Sequence, residues 1–181
     1  MTNDDQIARL LMSQETRRKG FEQLVRQYSE TLYWQIRRMV LTHDDANDVL
    51  QNVFLKAWSN LDSFRNDSKL STWLYRIATN ESIDFLRKKK NKPTSSADDE
   101  DCSIAQNLMA DKYFDGNETE AMLQEAIAQL PEVQRAVFNM KYFDDMKYTE
   151  ISAITHTSVG ALKASYHFAV KKISEYFQHH D

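Results

Sequence analysis

Cationic side chains crowd one short stretch of this 181-residue chain. Seven bases (Lys69, Arg76, Arg87, Lys88, Lys89, Lys90 and Lys92) stand against two acids, Glu81 and Asp84, for a local charge of +5. Such a run can neutralise phosphates, each contact adding about 0.9 to the salt slope of binding on duplex DNA and about 0.7 on a single strand. The competing reading is a solvated helix end, where cations favour the last carbonyls. Phe64, Trp73 and Tyr75 lie nearby; single-stranded bases stack on such rings, which equally suit a core. A second basic stretch, Lys163, Lys171 and Lys172, has no acid between Ser158 and Ile173. There the Ser158 hydroxyl can cap a helix whose N-terminus would point toward a DNA groove.

Other chemistries find no support. No nucleophile stands beside a base, no glycine-rich phosphate loop occurs, and no spaced carboxylate pair stands out, so no catalytic residue is assigned. Cys102 is the single cysteine and the five histidines are scattered, with His179 and His180 reading as a tail. No metal and no other cofactor is expected from such spacing, and a reducing cytosol fits a lone thiol. The acidic start, Met1 to Asp5, lacks an apolar run of signal-peptide length, and no stretch approaches a membrane span. A cytoplasmic protein without membrane insertion is the expectation. The net charge of -4 disfavours a general nucleic-acid coat and makes the local patches the informative feature.

Helices must position these groups, because only 3 Gly and 2 Pro punctuate the chain. Apolar residues at three and four spacing predict a helix from about Gly20 to Leu41. A second, capped by Asp44 or Asp45, would bury Ala46, Val49, Leu50, Val53, Phe54 and Ala57. Its other side carries Asp48, Gln51, Asn52, Leu55 and Trp58, a mixed face that either meets a protein partner or simply widens the core contact. Ser71 or Thr72 would cap a third helix that ends in the basic run. Residues 93–117 show no sustained period and, from Asn91 to Glu120, a net charge of -6, which reads as an acidic flexible linker. Beyond it a short stripe ends at Pro131, which suits the first turn of the next helix. Tyr148 to Ile154, a break at Thr155–Thr157 and a long helix from Ser158 then form a helix-turn-helix candidate.

At these residues a family resemblance enters. Asp45 to Trp58 (DANDVLQNVFLKAW) strongly resembles region two of bacterial extracytoplasmic-function sigma factors, and Ser71 to Asn80 followed by Asp84 to Arg87 is similar to the promoter-melting part of that region. Leu130 to Phe138, Tyr148 to Ile151 and Ser158 to Lys163 resemble region four, in the family's order. The resemblance implies an all-α chain of two small helical domains, residues 1–92 and 118–181, joined by the linker 93–117. It implies a non-enzymatic initiation subunit, monomeric when free, with core RNA polymerase, promoter DNA and an anti-sigma factor as partners. By analogy, Asp48, Gln51, Asn52 and Leu55 would meet core polymerase. Phe64, Arg65, Asn66, Lys69, Ser71, Trp73, Arg76, Asn80, Asp84, Arg87 and Lys88 would meet the minus-ten element, whose extruded base a loop pocket would capture. Ser158, Ala161, Lys163, Ala164, Ser165, His167 and Lys171 would meet the minus-thirty-five duplex.

Three departures mark the C-terminal half. His156 stands where the family usually has glycine in the turn, and histidine visits positive φ less readily. Ser165 and Phe168 replace two common arginines. Serine can contact phosphate or base, whereas Phe168 either offers an apolar contact such as a thymine methyl or packs inward. A stand-alone DNA-binding regulator would explain residues 120 to 177 but leave the second face of the Asp45–Trp58 helix idle. A helical adaptor would explain the net acidity but not the two basic patches.

Overall fold

The computed structural model describes residues 2–64, 67–92 and 103–180, all of whose regular elements are helical. Helix α1 (Asn3–Met12) opens on a reciprocal cap, in which the Thr2 hydroxyl accepts from the Asp5 amide and the Thr2 amide donates to the Asp5 carboxylate at 2.8 Å. Its stripe is short but regular, with Ile7, Leu10 and Leu11 at three and four residues, and the helix is not among those expected from the sequence. It packs on α2 (Arg17–Val40) through Ile7, Ala8 and Leu11. Gly20 makes the contact possible: a Cβ there would lie 2.7 Å from that of Leu10. At its far end α2 stops with Leu41 at φ 74°, whose amide donates back to the Arg37 carbonyl.

Helix α3 (His43–Ser59) is capped by Thr42, whose hydroxyl accepts from the Asp45 amide at 3.2 Å. The expected caps Asp44 and Asp45 sit in its first turn instead, where their charge favours the helix N-terminus. A short 3-10 turn (Leu61–Ser63) leads toward α4 (Leu70–Asn91). This helix starts before the expected Ser71 or Thr72 cap, with Lys69 in the cap position and no side-chain bond there. Leu70, 3% exposed, anchors the start, so burial rather than capping sets the boundary.

The expected linker is partly built into the fold. Residues 93–102, including the acidic run from Asp98 to Asp101, lie outside the described residues. Ser103 then caps α5 (Ile104–Ala110) with Gln106, and Leu108 is buried. Next, Asp111 accepts from Arg37 Nη2 at 2.7 Å and the Tyr113 ring stacks on His43 at 3.8 Å. The tether reading of residues 103–117 is thus corrected: a seven-residue helix with one buried leucine is too short to show a period.

Asn117 and Glu120 cap α6 (Glu118–Ala128), which is followed by α7 (Glu132–Tyr142), α8 (Tyr148–Thr155) and α9 (Val159–His180). Pro131 occupies the cap position of α7, one residue before the place expected, and its carbonyl accepts from the Arg135 amide at 2.8 Å. Ala126, Ile127, Leu130, Phe138, Ala169, Ile173 and Tyr176 form a core shared by α6, α7 and α9. The larger core of α1–α4 extends across to Val137 and Met140 of α7, Ile151 and Ile154 of α8, and Leu162 of α9. Each such buried aliphatic side chain contributes about 1.5–3 kcal/mol relative to exposure, which explains why the second helical unit lies against the first.

Polar groups fasten the same seam. Arg135, 8% exposed, donates to the Met39 carbonyl at 2.9 Å and to the Ala128 carbonyl, which supplies a cation to the C-terminal end of α2. Arg38 pairs with Asp144 at 2.8 Å and lies over the Phe143 ring. Burial pushes the Asp144 carboxyl above its ordinary value in spite of Arg38, and burial likewise depresses Arg135.

Candidate nucleic-acid interface

Three surfaces gather the residues singled out by the sequence. On α3, Asp48, Gln51, Asn52 and Leu55 all face outward, as their spacing of three and four requires. Leu55 is 59% exposed and Trp58 45%, with Trp58 held edge-on against Phe21 at 5.0 Å. The opposite side of this helix, Ala46, Val49, Val53 and Ala57, is buried. The mixed face is therefore left over after the core has been satisfied, and it presents an apolar centre with amide and carboxylate groups around it. That composition is what a protein partner reads.

On α4, Asn80, Asp84 and Arg87 recur at four and three residues and stand exposed on one face. They line a shallow depression with Lys56, Glu81 and Val133. The Lys56 ammonium is ion-paired to Glu81, which raises its pKa. Lys88 is exposed, whereas Lys89 reaches back to Asp45 at 2.8 Å. A carboxylate and amide beside a guanidinium can hydrogen-bond base edges, and the cations can hold phosphates.

The N-terminal half of the same helix is differently placed. Phe64 and Trp73, which could either stack on bases or fill the core, are 3% and 8% exposed and pack on each other at 5.0 Å. Both belong to the core, so neither ring is offered to a base in this conformation; aromatic type alone could not separate the two roles. Arg65 and Asn66 lie outside the described residues. Lys69 is exposed and Ser71 half-buried. Arg76 does not face solvent freely: its Nη2 donates to the Ala153 carbonyl of α8 at 2.7 Å. A groove lined by Lys69, Ser71, Tyr75, Met146, Glu150 and Ala153 runs along this junction.

The third surface is α9. The Ser158 hydroxyl accepts from the Ala161 amide at 3.2 Å and caps it. Ala161, Lys163, Ala164, His167 and Lys171 are exposed, and Ser165 is half-buried toward the flank. Phe168 is 55% exposed, so of the two readings the inward-packed one is wrong. Leu162, Ala169 and Ile173 already fill the inner stripe, leaving it no room. The turn before α9 keeps the left-handed geometry that a glycine would favour: His156 has φ 54° and ψ 33°.

Sequence reading missed Arg37, Arg38 and Arg135, which look like ordinary helix-surface cations in the sequence and become polar fasteners only when α2 meets α5 and α7. Among the described residues, no three His, Cys, Asp or Glu side chains converge to hold a metal ion. No described helix is long and apolar enough to cross a membrane.

Comparison with known proteins places this geometry. The family model described as Sigma-70 region 2 matches residues 24–92, and the model described as Sigma-70, region 4 matches residues 120–173. The ECF RNA polymerase sigma factor SigW of Bacillus subtilis is 34% identical over 156 residues, covering 82% of this chain and 83% of that protein. The ECF RNA polymerase sigma-E factor of Escherichia coli K12 is 35% identical over 156 residues, covering 81% and 80%. Two solved structures share the fold at 22% identity. CnrH, in complex with the cytosolic domain of CnrY, has a TM-score of 0.71 over 98% of this chain and 99% of its own. The sigma factor RpoE of Bartonella quintana, in complex with the anti-sigma factor NepR, has a TM-score of 0.65 over 88% and 98%.

Proposed function

The chain belongs to the extracytoplasmic-function RNA polymerase sigma factors, and from that membership we propose how its surfaces divide the work of starting transcription. As an alternative sigma factor it binds core RNA polymerase and promoter DNA and directs promoter-specific initiation. The α3 face of Asp48, Gln51, Asn52 and Leu55 docks core polymerase. Asn80, Asp84 and Arg87 of α4 meet the minus-ten element, and the outward face of α9 enters the minus-thirty-five major groove. The observation that carries this division is that α3, α4 and α9 each keep a polar or mixed face outside the core after their apolar faces are buried.

The two DNA elements differ by about 25 base pairs, or about 85 Å of duplex at 3.4 Å per base pair. In the structure α8 touches α4 through the Arg76 contact with Ala153. Reading both elements together therefore requires α8 and α9 to leave α4, which would also uncover the half-buried Ser71 and release Arg76 from the Ala153 carbonyl. A protein partner that holds the closed form would act as an anti-sigma factor, a class of partner with which the Bartonella RpoE forms a complex. A subunit that acts with RNA polymerase on promoter DNA would work in the cytoplasm.

Run-off transcription with purified core polymerase on a genomic fragment pool tests the assignment. New starts sharing two upstream elements are expected with the parent. Combined Gln51→Ala and Leu55→Ala should weaken core binding while leaving the melting temperature unchanged, since both residues are exposed. Undiminished core binding by that variant would overturn the α3 interface.

A further inference from the structure

Helix α9 carries an aromatic side chain that neither the core nor a neighbouring helix uses. At 3.6 residues per turn, Leu162, Tyr166, Ala169 and Ile173 define its inner side. Gly160, Ala164, His167 and Lys171 occupy the middle of the outer side, Lys163 one edge, and Phe168 the other. Phe168 is 55% exposed, and its ring meets only the edge of His167, at 5.9 Å, among the aromatic neighbours. A single exposed apolar residue is ordinary on a surface. Here, however, the surrounding chemistry is that of a groove-reading helix, with the cap at Ser158, Lys163 near the N-terminus and Lys171 one turn beyond Phe168.

The residues preceding Phe168 on this side are small. Ala161 lies two turns before it, Ala164 one turn before it, and a Cβ added at Gly160 would meet nothing within 4 Å. Glycine inside a helix costs about 0.5–1 kcal/mol relative to alanine. The fold gains no internal packing in return, so the space is open to whatever approaches from outside. Small residues at the leading end let the helix sink toward the groove floor, and Phe168 is then the first bulky apolar group on that edge. Its ring has no hydrogen-bonding atom, so it cannot read a donor or acceptor. The apolar feature that base edges present in the major groove is the 5-methyl group of thymine.

We propose that Phe168 is a specificity-determining residue that selects thymine at one position of the minus-thirty-five element by packing against its 5-methyl group. This rests on the assignment of α9 to that element. Lys163 and Lys171 hold the helix by phosphate contact, which positions the ring without itself selecting sequence. Ser165, one turn before Phe168, is half-buried, so the exposed ring is the more prominent group on that side.

The test uses the full chain with core polymerase on promoters randomised through the minus-thirty-five element. The parent should enrich thymine at one position, and Phe168→Ala should lose that preference alone. Replacing that thymine by deoxyuridine removes only the methyl group and should weaken the parent about fourfold, the effect of one buried methyl-sized group. The same replacement should leave Phe168→Ala unaffected, and Phe168→Leu should keep an intermediate preference. Equal deoxyuridine sensitivity in parent and Phe168→Ala, or no thymine preference in the parent, would overturn the proposal. Absence of defined starts with the parent would instead overturn the sigma assignment of the whole surface. Unchanged unfolding of Phe168→Ala is expected because the ring is largely exposed.

Discussion

Replacing His156 by glycine should stabilise the protein. His156 ends α8 in the left-handed region at φ 54°, and its amide donates to the Ser152 carbonyl at 2.9 Å. Its side chain is exposed and makes no hydrogen bond among the described residues. A non-glycine residue in that region costs about 1–2 kcal/mol because its Cβ crowds the backbone. Glycine removes the crowding but loses about 0.4–1 kcal/mol through the greater freedom of the unfolded chain. The balance is a gain of about 0.5–1 kcal/mol. For a chain of this length that is a rise of about 1–4 °C in melting temperature. The decisive control is His156→Ala, which deletes the imidazole but keeps the Cβ and should not gain stability. If alanine stabilised as much as glycine, or glycine not at all, the backbone argument would fail. Promoter recognition by the glycine variant should be retained, since the turn already has the geometry that glycine favours.

Further consequences concern the seam and the DNA contacts. Arg135→Met should lower stability by about 2 kcal/mol, because it leaves the Met39 and Ala128 carbonyls without their donor; a lower urea midpoint at unchanged slope is the expected readout. The Asp111 carboxyl is held below its ordinary value, first by the Tyr113 amide and then by Arg37. Its contribution is therefore present above about pH 4 and lost as pH falls through the depressed value, so Asp111→Asn should flatten the acid limb of stability below pH 4. Asp144 has the opposite sign, since its raised pKa gives stability at low pH that is lost as pH rises through that value. Lys163→Ala should lower the salt slope of duplex binding by about 0.9, and Arg87→Ala should reduce initiation without changing core binding.

The helical class and the order of the major helices were legible because α2, α3, α4, α7 and α9 each repeat apolar residues at three and four spacing. The same pattern exposed the mixed face around Gln51 and Leu55. Helix α1 went unread although Ile7, Leu10 and Leu11 recur at three and four residues, whereas α5 buries a single leucine in seven residues, too little for a stripe. The cap of α3 moved to Thr42 because several adjacent residues could cap, and local type does not choose among them.

Which side of each long helix is apolar follows from local spacing and is legible before any helix meets another. What covers each side depends on the packing of the whole chain. It buried Phe64 and Trp73, exposed Phe168, and joined Arg135 to Met39 and Arg76 to Ala153 across separations of 96 and 77 residues. Periodicity is a property of neighbours a few residues apart, whereas these contacts depend on how whole helices cross, and no local pattern carries that information.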